Sequence, residues 1–195
     1  MKDGDFGHAV ESVIVELNSF AQPHPFEIKQ ISSYITDFLS LKAPTMIGEY
    51  ALDPFDVNVL SYKRTFCEKI SAIARASYES DSEYSQLKEK IRHFYDIYFL
   101  MEEPEIELFL NSSEFVDMIQ KVRVDDKNQF NQNNWANIPL YTTEIFTDTN
   151  TILDKLNSFY TNDFKDLVYA KTLPQINDIK IKIETLSRVL TVEKL

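Results

Sequence analysis

Two stretches decide the fold: Ser61-Tyr-Lys-Arg-Thr-Phe-Cys-Glu-Lys-Ile-Ser-Ala-Ile-Ala-Arg-Ala-Ser77 and Gln86-Leu-Lys-Glu-Lys-Ile-Arg-His-Phe-Tyr-Asp-Ile-Tyr-Phe-Leu100. The first carries a stripe at the three- and four-residue spacing of one helix face: Phe66, Ile70, Ile73 and Ser77. Lys69 lies on that stripe. In the second stretch, Asp96 lies among aromatic and apolar residues, one turn after Arg92. Both stretches therefore predict helices with a charged residue on an apolar face.

These two charges need a physical reason, because a lysine or an aspartate against an apolar face costs free energy unless it is paired or used. One interpretation is a structural ion pair that links the helices. The other is an anion site, in which Lys69 and Arg92 hold phosphates and Asp96 orients the lysine or a metal-bound group. Helical spacing fixes a face and not a tertiary contact, so the sequence leaves both interpretations open.

The composition predicts a mostly helical α+β protein. The 195 residues are 44% hydrophobic, enough for a packed core, and only three are glycines, so the tight turns of an all-β fold are scarce. A net charge of −11 is not typical of a general nucleic-acid binder. Basic residues nevertheless cluster on the two stretches, which suits a small anionic ligand. They are Lys63, Arg64, Lys69, Arg75, Lys88, Lys90 and Arg92.

The sequence also predicts where the protein works. Cys67 is the only cysteine, so an intrachain disulfide is impossible and a reducing compartment is expected. No apolar run approaches the length of a membrane span, and the N-terminus lacks the hydrophobic region of a signal peptide. We expect a cytoplasmic protein without a membrane partner.

Along the chain, the pattern predicts strands first and helices afterwards. Strands are expected over residues 10–20, 26–31 and 57–60. Glu16 interrupts the apolar run of the first strand, either at a solvent-facing position or as a carboxylate aimed into a site. A short helix is expected over residues 32–39 behind a Ser32 or Ser33 cap, and Ser61 is expected to cap the first of the two long helices. The second is predicted to run for about 19 residues from an Asp81 or Ser82 cap and to end near Glu103, before Pro104.

Beyond Pro104 the sequence predicts almost only helices. In the last one, apolar residues recur at alternating spacings of three and four, a stripe that packs inside a bundle or against a partner chain. They are Ile176, Ile179, Ile183, Leu186 and Leu190. Trp135 falls in a loop rich in Asn and Gln, where we interpret it as an anchor in the core, with base stacking as the alternative.

The familiar catalytic motifs are absent from the sequence. It contains no Gly-rich phosphate loop, no Cys-x-x-Cys, no His-Glu-x-x-His and no Gly-x-Ser-x-Gly, and its histidines lack metal-ligand spacing. Asp3-Gly-Asp5 matches the bare pattern of a two-carboxylate metal site, but its glycine neighbours favour a hairpin loop. No metal ligand is therefore assigned.

Two pieces of the chain, in this order, resemble a known family. They are Val57-Asn-Val-Leu-Ser-Tyr-Lys-Arg-Thr-Phe-Cys-Glu-Lys-Ile70, which contains Arg-Thr-Phe-x-Glu-Lys, and Leu87-Lys-Glu-Lys-Ile-Arg-His-Phe-Tyr-Asp-Ile97, which contains Arg-His-x-Tyr-Asp. Upstream, Val13-Ile-Val-Glu-Leu17 followed by His24-Pro25 is similar to the family's late sheet strand. These segments resemble the C-terminal half of the AbiEii/AbiGii toxin family of nucleotidyltransferases.

The resemblance implies a polymerase β-like nucleotidyltransferase sheet, here in part over residues 1–60, followed by a helical domain over residues 61–195. Members are toxins of toxin–antitoxin or phage-defence systems, and some add nucleotides to tRNA. A cognate antitoxin and tRNA or another RNA are thus the implied partners. A complete member would use Mg²⁺ and a nucleoside triphosphate.

The resemblance also implies roles for single residues. Lys69 matches the family's catalytic or triphosphate-binding lysine, and Asp96 matches its late aspartate. Arg92 accompanies that aspartate, Arg64 is a further candidate for nucleotide binding, and Glu16 is a candidate third carboxylate.

One departure from the family pattern limits the expected activity. The family's first motif is a Gly-Gly or Gly-Ser turn followed by an Asp-x-Asp strand that binds two metal ions, and this sequence holds no convincing copy. Without that pair, attack on an α-phosphate loses its metal clamp. We expect an incomplete, inactive copy to which neither Mg²⁺ nor nucleotide binds tightly; the alternative is a non-catalytic helical module that binds an antitoxin or RNA.

Overall fold

The computed structural model describes residues 24–130, 132–168, 173–193 and 195, which form two compact units. One covers residues 24–62 and contains both strands, and the other covers residues 63–195 and is helical. The mostly helical α+β class predicted from the sequence is confirmed. The division into a sheet region over residues 1–60 and a helical domain over residues 61–195 stays a prediction.

The smaller unit is organised by two antiparallel strands. Strand β1 (Phe26–Ile31) pairs with β2 (Phe55–Leu60) along its whole length, with Phe26 opposite Leu60. Both strands were predicted, and β2 begins two residues before the predicted start. The strand predicted over residues 10–20 lies outside the described residues.

Two short helices connect the strands. Helix α1 (Tyr34–Lys42) begins after Ser33, whose hydroxyl accepts a hydrogen bond from the Thr36 amide at 3.0 Å. This bond satisfies one of the free amides of the first turn and explains why the helix starts there. The helix predicted over residues 32–39 is thereby confirmed, and α2 (Thr45–Glu49) follows it.

The smaller unit buries little apolar surface. Its buried residues within the described range are the polar Thr36 and Ser61. Large apolar side chains on α1 face solvent instead: Tyr34 is 94% exposed, Leu41 82% and Phe38 60%. Two strands and two short helices alone supply too little buried area for independent stability.

The first described helix of the larger unit is α3 (Tyr62–Tyr78), which starts directly after the predicted cap Ser61. The stripe predicted from the sequence is buried in the core, which confirms that face of the helix. Ser77 ends the stripe for a specific reason, because its hydroxyl accepts a hydrogen bond from the Ile145 amide at 2.8 Å. A polar residue thereby satisfies the backbone of a buried helix start.

The prediction of a second long, continuous helix is wrong, because the structure has two shorter helices in its place. The chain forms α4 (Ser85–Glu89) and α5 (Ile91–Leu100), with Lys90 between them. At the junction, the Lys90 amide donates to the Leu87 carbonyl at 3.0 Å, so a tight three-residue turn replaces the α-helical bond. The predicted Asp81 or Ser82 cap is wrong, because Tyr84 is the N-cap of α4. The Asp81 carboxylate instead accepts hydrogen bonds from the Glu83 and Ser85 amides in the loop that leads into the helix.

The rest of the described chain is helical, as predicted. Its α-helices are α6 (Pro104–Leu110), α7 (Ser113–Gln129), α8 (Glu144–Thr147), α9 (Thr149–Phe159) and α10 (Ile176–Glu193). Its 3₁₀ turns are Gln132–Asn137, Leu140–Thr142 and Lys165–Leu167. The α10 residues Ile179, Ile183, Leu186 and Leu190 are fully buried, and α10 packs on α5, α8 and α9. The apolar stripe of α10 therefore packs inside the helical bundle.

Within the described ranges, no helix combines the length and apolarity needed to cross a bilayer.

Trp135 is an anchor in the core, as predicted. It has no exposed surface and lies in the 3₁₀ turn after α7. The Arg123 guanidinium covers its ring at 4.3 Å from the centroid and donates a hydrogen bond to the Ile138 carbonyl. A fully covered ring leaves no face on which a nucleobase could stack.

The end of α9 carries an aromatic cluster on an irregular turn. One π-helical turn, Tyr160–Phe164, follows α9. The Tyr160 and Phe164 rings stack with centroids 5.6 Å apart, and Phe164 meets Tyr95 of α5 edge-on at 5.7 Å. The wide turn accommodates one residue more than an α-helical turn and aims Phe164 at α5.

Candidate functional site

The structure brings the two anomalous charges together. The Lys69 Nζ lies 2.6 Å from Asp96 Oδ2, so the pair joins α3 to α5. Their side chains are 18% and 34% exposed, respectively. A partly exposed pair of this kind stabilises a protein by only about 0–1 kcal/mol. Both charges are therefore accessible to a ligand, and their removal is not expected to unfold the protein.

The pair lines a shallow cleft of about 420 Å³, together with Thr65, Phe99 and Glu103. Asp96 also lines a larger cavity of about 770 Å³, to which the exposed Arg92 contributes. Of the residues predicted for the site, Lys69, Asp96 and Arg92 thus lie around one segment of α5. Glu16 lies outside the described residues, as do Asp3 and Asp5.

Arg64 occupies a different environment. It is 2% exposed and forms two ion pairs, one between its Nε and Glu68 Oε1 at 2.9 Å and one between its Nη2 and the Asp125 carboxylate. Burial raises the pKa of the Glu68 carboxyl, which Arg64 opposes. Arg64 lies in the wall of a third cavity, of about 240 Å³, with its guanidinium engaged by protein carboxylates.

The sequence did not indicate the charges of α7 that complete this wall. Asp126 accepts a hydrogen bond from the Ser71 hydroxyl and lies 3.5 Å from Arg75 Nη1. Burial raises the pKa of the Asp126 carboxyl, while its hydrogen bond to Ser71 and the charges of Arg75 and Arg123 lower it. A signal was present, because Asp125 and Asp126 lie three and four residues after the buried Val122, on the core face of α7.

His93 is the other residue that sequence reasoning missed. It lines both the 770 Å³ cavity and the 240 Å³ cavity, next to the Lys69–Asp96 pair. Burial, followed by the charges of Lys69, Lys90 and Arg92, lowers the pKa of its imidazole to about 4. The imidazole is therefore neutral at physiological pH, so Lys69, Lys90 and Arg92 supply the positive charge for binding an anion.

The described residues do not by themselves fit a divalent metal. Catalytic Mg²⁺ sites use clustered carboxylates. Across the described part of the chain, no three His, Cys, Asp or Glu side chains are close enough to hold a metal ion. Asp96 is moreover engaged by Lys69. The arrangement around α5 suits an anion instead.

Comparison with known protein families identifies a family to which most of the chain is similar. The family described as nucleotidyl transferase AbiEii toxin, of a type IV toxin–antitoxin system, matches residues 7–185, which is most of the chain. No curated protein and no solved structure shows significant similarity to the chain. The matched range includes both units and both helices that carry the Lys69–Asp96 pair.

Proposed function

Because the chain belongs to the nucleotidyl transferase AbiEii toxin family, we propose that its Lys69–Asp96 pair handles the phosphates of a nucleoside triphosphate whose nucleotide is transferred to RNA. The observation that carries the proposal is the 2.6 Å contact between these residues at the surface of a cleft. An ion pair that contributes little to stability and stays accessible is available for a ligand.

The chemistry fits the side chains present. In nucleotide transfer, an RNA hydroxyl oxygen forms a bond to the α-phosphorus, the bond from that phosphorus to the bridging oxygen breaks, and pyrophosphate leaves while the hydroxyl proton passes to solvent. An ammonium group stabilises the negative charge that develops on the leaving pyrophosphate. Lys69 is suited to this role, with Asp96 orienting it and Arg92 as a second phosphate contact. Mg²⁺ would polarise the phosphoryl oxygens in a complete family member.

We further propose that this chain does not transfer nucleotides by itself. The sequence holds no convincing Gly-Ser turn with a following Asp-x-Asp strand, and the described residues do not supply a carboxylate cluster in its place. Binding of a nucleoside triphosphate is therefore expected to be weak, with a Kd on the order of 1 mM.

A titration followed by amide chemical shifts tests the phosphate site. Inorganic triphosphate should shift the amides around Lys69 and Arg92, and Lys69→Gln should raise its Kd about tenfold. Lys63→Gln is the matched control, since Lys63 lies on the same helix but pairs with Glu114 at the surface. Equal Kd values for the Lys69 variant and the natural protein would refute the site.

A transfer assay tests the predicted inactivity. The chain is incubated with tRNA, Mg²⁺ and an α-labelled nucleoside triphosphate, and no label is expected in the RNA. Metal-dependent incorporation that Lys69→Ala and Asp96→Ala abolish would show an active enzyme, and Asp3 and Asp5 would then become its candidate metal ligands. Unfolding of both variants would instead favour a structural ion pair.

The alternative, a non-catalytic module that binds an antitoxin, is favoured by one observation. Tyr34, Phe38 and Leu41 expose large apolar side chains on α1, as protein-binding surfaces do. Leu41→Lys should then weaken binding of a purified cognate antitoxin by about tenfold without changing triphosphate binding. Unchanged antitoxin affinity would count against the module.

A further inference from the structure

The 770 Å³ cavity beside Asp96 has two chemically distinct sides. Its wall is formed by α4, α5 and the end of α9 with the π-helical turn. One side carries three cations, Lys88, Lys90 and Arg92, with the carboxylate of Glu89 among them. The other side is aromatic and apolar, with Tyr95, Phe159, Phe164 and Leu167 among its residues. Its volume lies in the range of small-ligand pockets.

The break in the helix explains how three cations reach one cavity. Lys88 and Arg92 lie four residues apart, so a continuous helix would place them on one face, but it would point Lys90 about 200° away from each of them. Because α4 ends at Glu89 and α5 begins at Ile91, the three side chains border a common space instead. Among the described residues, no carboxylate lies within ion-pair distance of any of them.

The aromatic side is a fixed surface. Phe164 is 6% exposed and held between the rings of Tyr160 and Tyr95, at 5.6 and 5.7 Å. Phe159 and Tyr95 are half-buried, so part of each ring faces the cavity. Leu167 adds an apolar side chain that is 54% exposed. A flat apolar group would gain contact area here at little cost in side-chain ordering.

We infer that this cavity binds the nucleoside part of the nucleotide substrate, with the base on the aromatic side and the phosphates directed along the basic side towards Lys69. The inference rests on the proposed function and names where that site takes its base. Asp96 connects the two parts, because it lines the cavity and contacts Lys69. Asp163, on the π-helical turn, is an exposed acceptor at the cavity for hydroxyl or amino groups of the nucleoside.

A single mononucleotide suits the cavity better than an RNA strand. Base stacking on aromatic side chains tolerates any base, whereas an RNA track needs a continuous basic surface. The basic side here is local, in a chain of net charge −11. The ligand expected is therefore one nucleoside triphosphate.

The test compares probes that share phosphates and differ in the base. The four nucleoside triphosphates, inorganic triphosphate and a single-stranded oligoribonucleotide are titrated into the full chain and followed by amide shifts. Nucleoside triphosphates should bind about tenfold more tightly than inorganic triphosphate and should shift amides of residues 159–168. Phe159→Ala should remove this advantage and leave the Kd for inorganic triphosphate unchanged. Lys90→Gln should raise the Kd for both probes.

Matched controls and a second variant keep the outcome decisive. Phe38→Ala and Lys121→Gln make the same chemical changes away from the cavity and should alter neither Kd. If Phe159→Ala disturbs folding, Leu167→Ala tests the same wall with an exposed residue. Equal affinity for inorganic and nucleoside triphosphates, or no effect of either wall variant, would overturn the inference. Tighter binding of the oligoribonucleotide through the same residues would also overturn it, in favour of an acceptor site.

The outcomes also separate this inference from the proposed function. If Lys69→Gln leaves triphosphate binding intact while Phe159→Ala weakens nucleotide binding, the phosphate role of Lys69 fails and the base cavity stands. If Lys69→Gln weakens binding while the wall variants do not, the phosphate site stands and the base cavity fails.

Discussion

Arg64 brings a positive charge into the interior of the helical unit, where Glu68 and Asp125 neutralise it. Replacing it by Met should leave these carboxylates without their cation and lower the free energy of unfolding by about 3–5 kcal/mol. Urea denaturation at pH 7 measures the loss.

The neighbouring residue provides the control for Arg64. Lys63 pairs with Glu114 at 2.9 Å, and their side chains are 27% and 52% exposed, so water screens this pair more than the buried Arg64. Lys63→Met should therefore cost about 1 kcal/mol or less. Similar losses for the two variants would show that the burial of Arg64 does not decide its contribution.

His93 should make stability depend on pH in a defined window. In the folded protein its pKa is lowered to about 4 from an ordinary value of 6.5, so the unfolded chain binds a proton between these values while the folded chain does not. The free energy of unfolding is therefore unaffected by the protonation of His93 above pH 6.5, and it should fall as the pH is lowered from 6.5 towards 4. Denaturation at several pH values should show this decline in the natural protein and a smaller one in His93→Gln.

The carboxyls of Glu68 and Asp126 act in the opposite direction. Their pKa values are raised in the folded state, so their protonation favours folding as the pH falls. The difference between the natural protein and His93→Gln cancels this background. A steeper decline in the variant would contradict the assigned sign.

At the scale of the elements, sequence periodicity predicted the helices and strands whose apolar spacing determines which face is buried. The buried stripe of α3, the strand Phe26–Ile31 and the stripe of α10 follow from apolar spacing, and all are present. The break at Lys90 could not be predicted, because no Gly or Pro lies there and the backbone conformation is determined by tertiary packing.

The same limit applies to the candidate site. Lys69 and Asp96 were identifiable, because each places a charge on an otherwise apolar face. Their contact, the burial of Arg64 and the position of His93 between two cavities depend on how α3, α5 and α7 pack together. No spacing within one helix contains that information.

The connection between α2 and β2 carries a strained residue. Ala51 has a φ of 51°, in the left-handed region that glycine adopts at no steric cost. Ala51→Gly should therefore stabilise the protein by up to about 1 kcal/mol. Ala72→Gly, within α3, should destabilise it by about 1 kcal/mol. Denaturation of both variants checks these opposite signs, and destabilisation by both would contradict the strain at Ala51.

At the scale of the whole molecule, the two units should differ in stability. The buried apolar side chains of the described chain all belong to residues 63–195, whereas residues 24–62 bury only Thr36 and Ser61. Amides of β1 and β2 should therefore exchange with solvent by local opening, orders of magnitude faster than those of α3. Hydrogen exchange read by mass spectrometry measures this. Equal protection would show that the strands unfold only together with the helical unit.

The π-helical turn after α9 should tolerate substitutions better than deletions, because its geometry depends on the number of residues in the turn. Thr161 and Asn162 are exposed, and their side chains form hydrogen bonds to Asn157 and Ser158 of α9. Either position should accept other polar residues. Deleting one of them would turn the wide turn into an ordinary one and rotate Phe164 by about 100° away from Tyr95. Deletion of Thr161 or Asn162 should thus lower the yield of folded protein, whereas a polar substitution at the same position should not. A scan that measures the folding yield of both kinds of variant checks this difference.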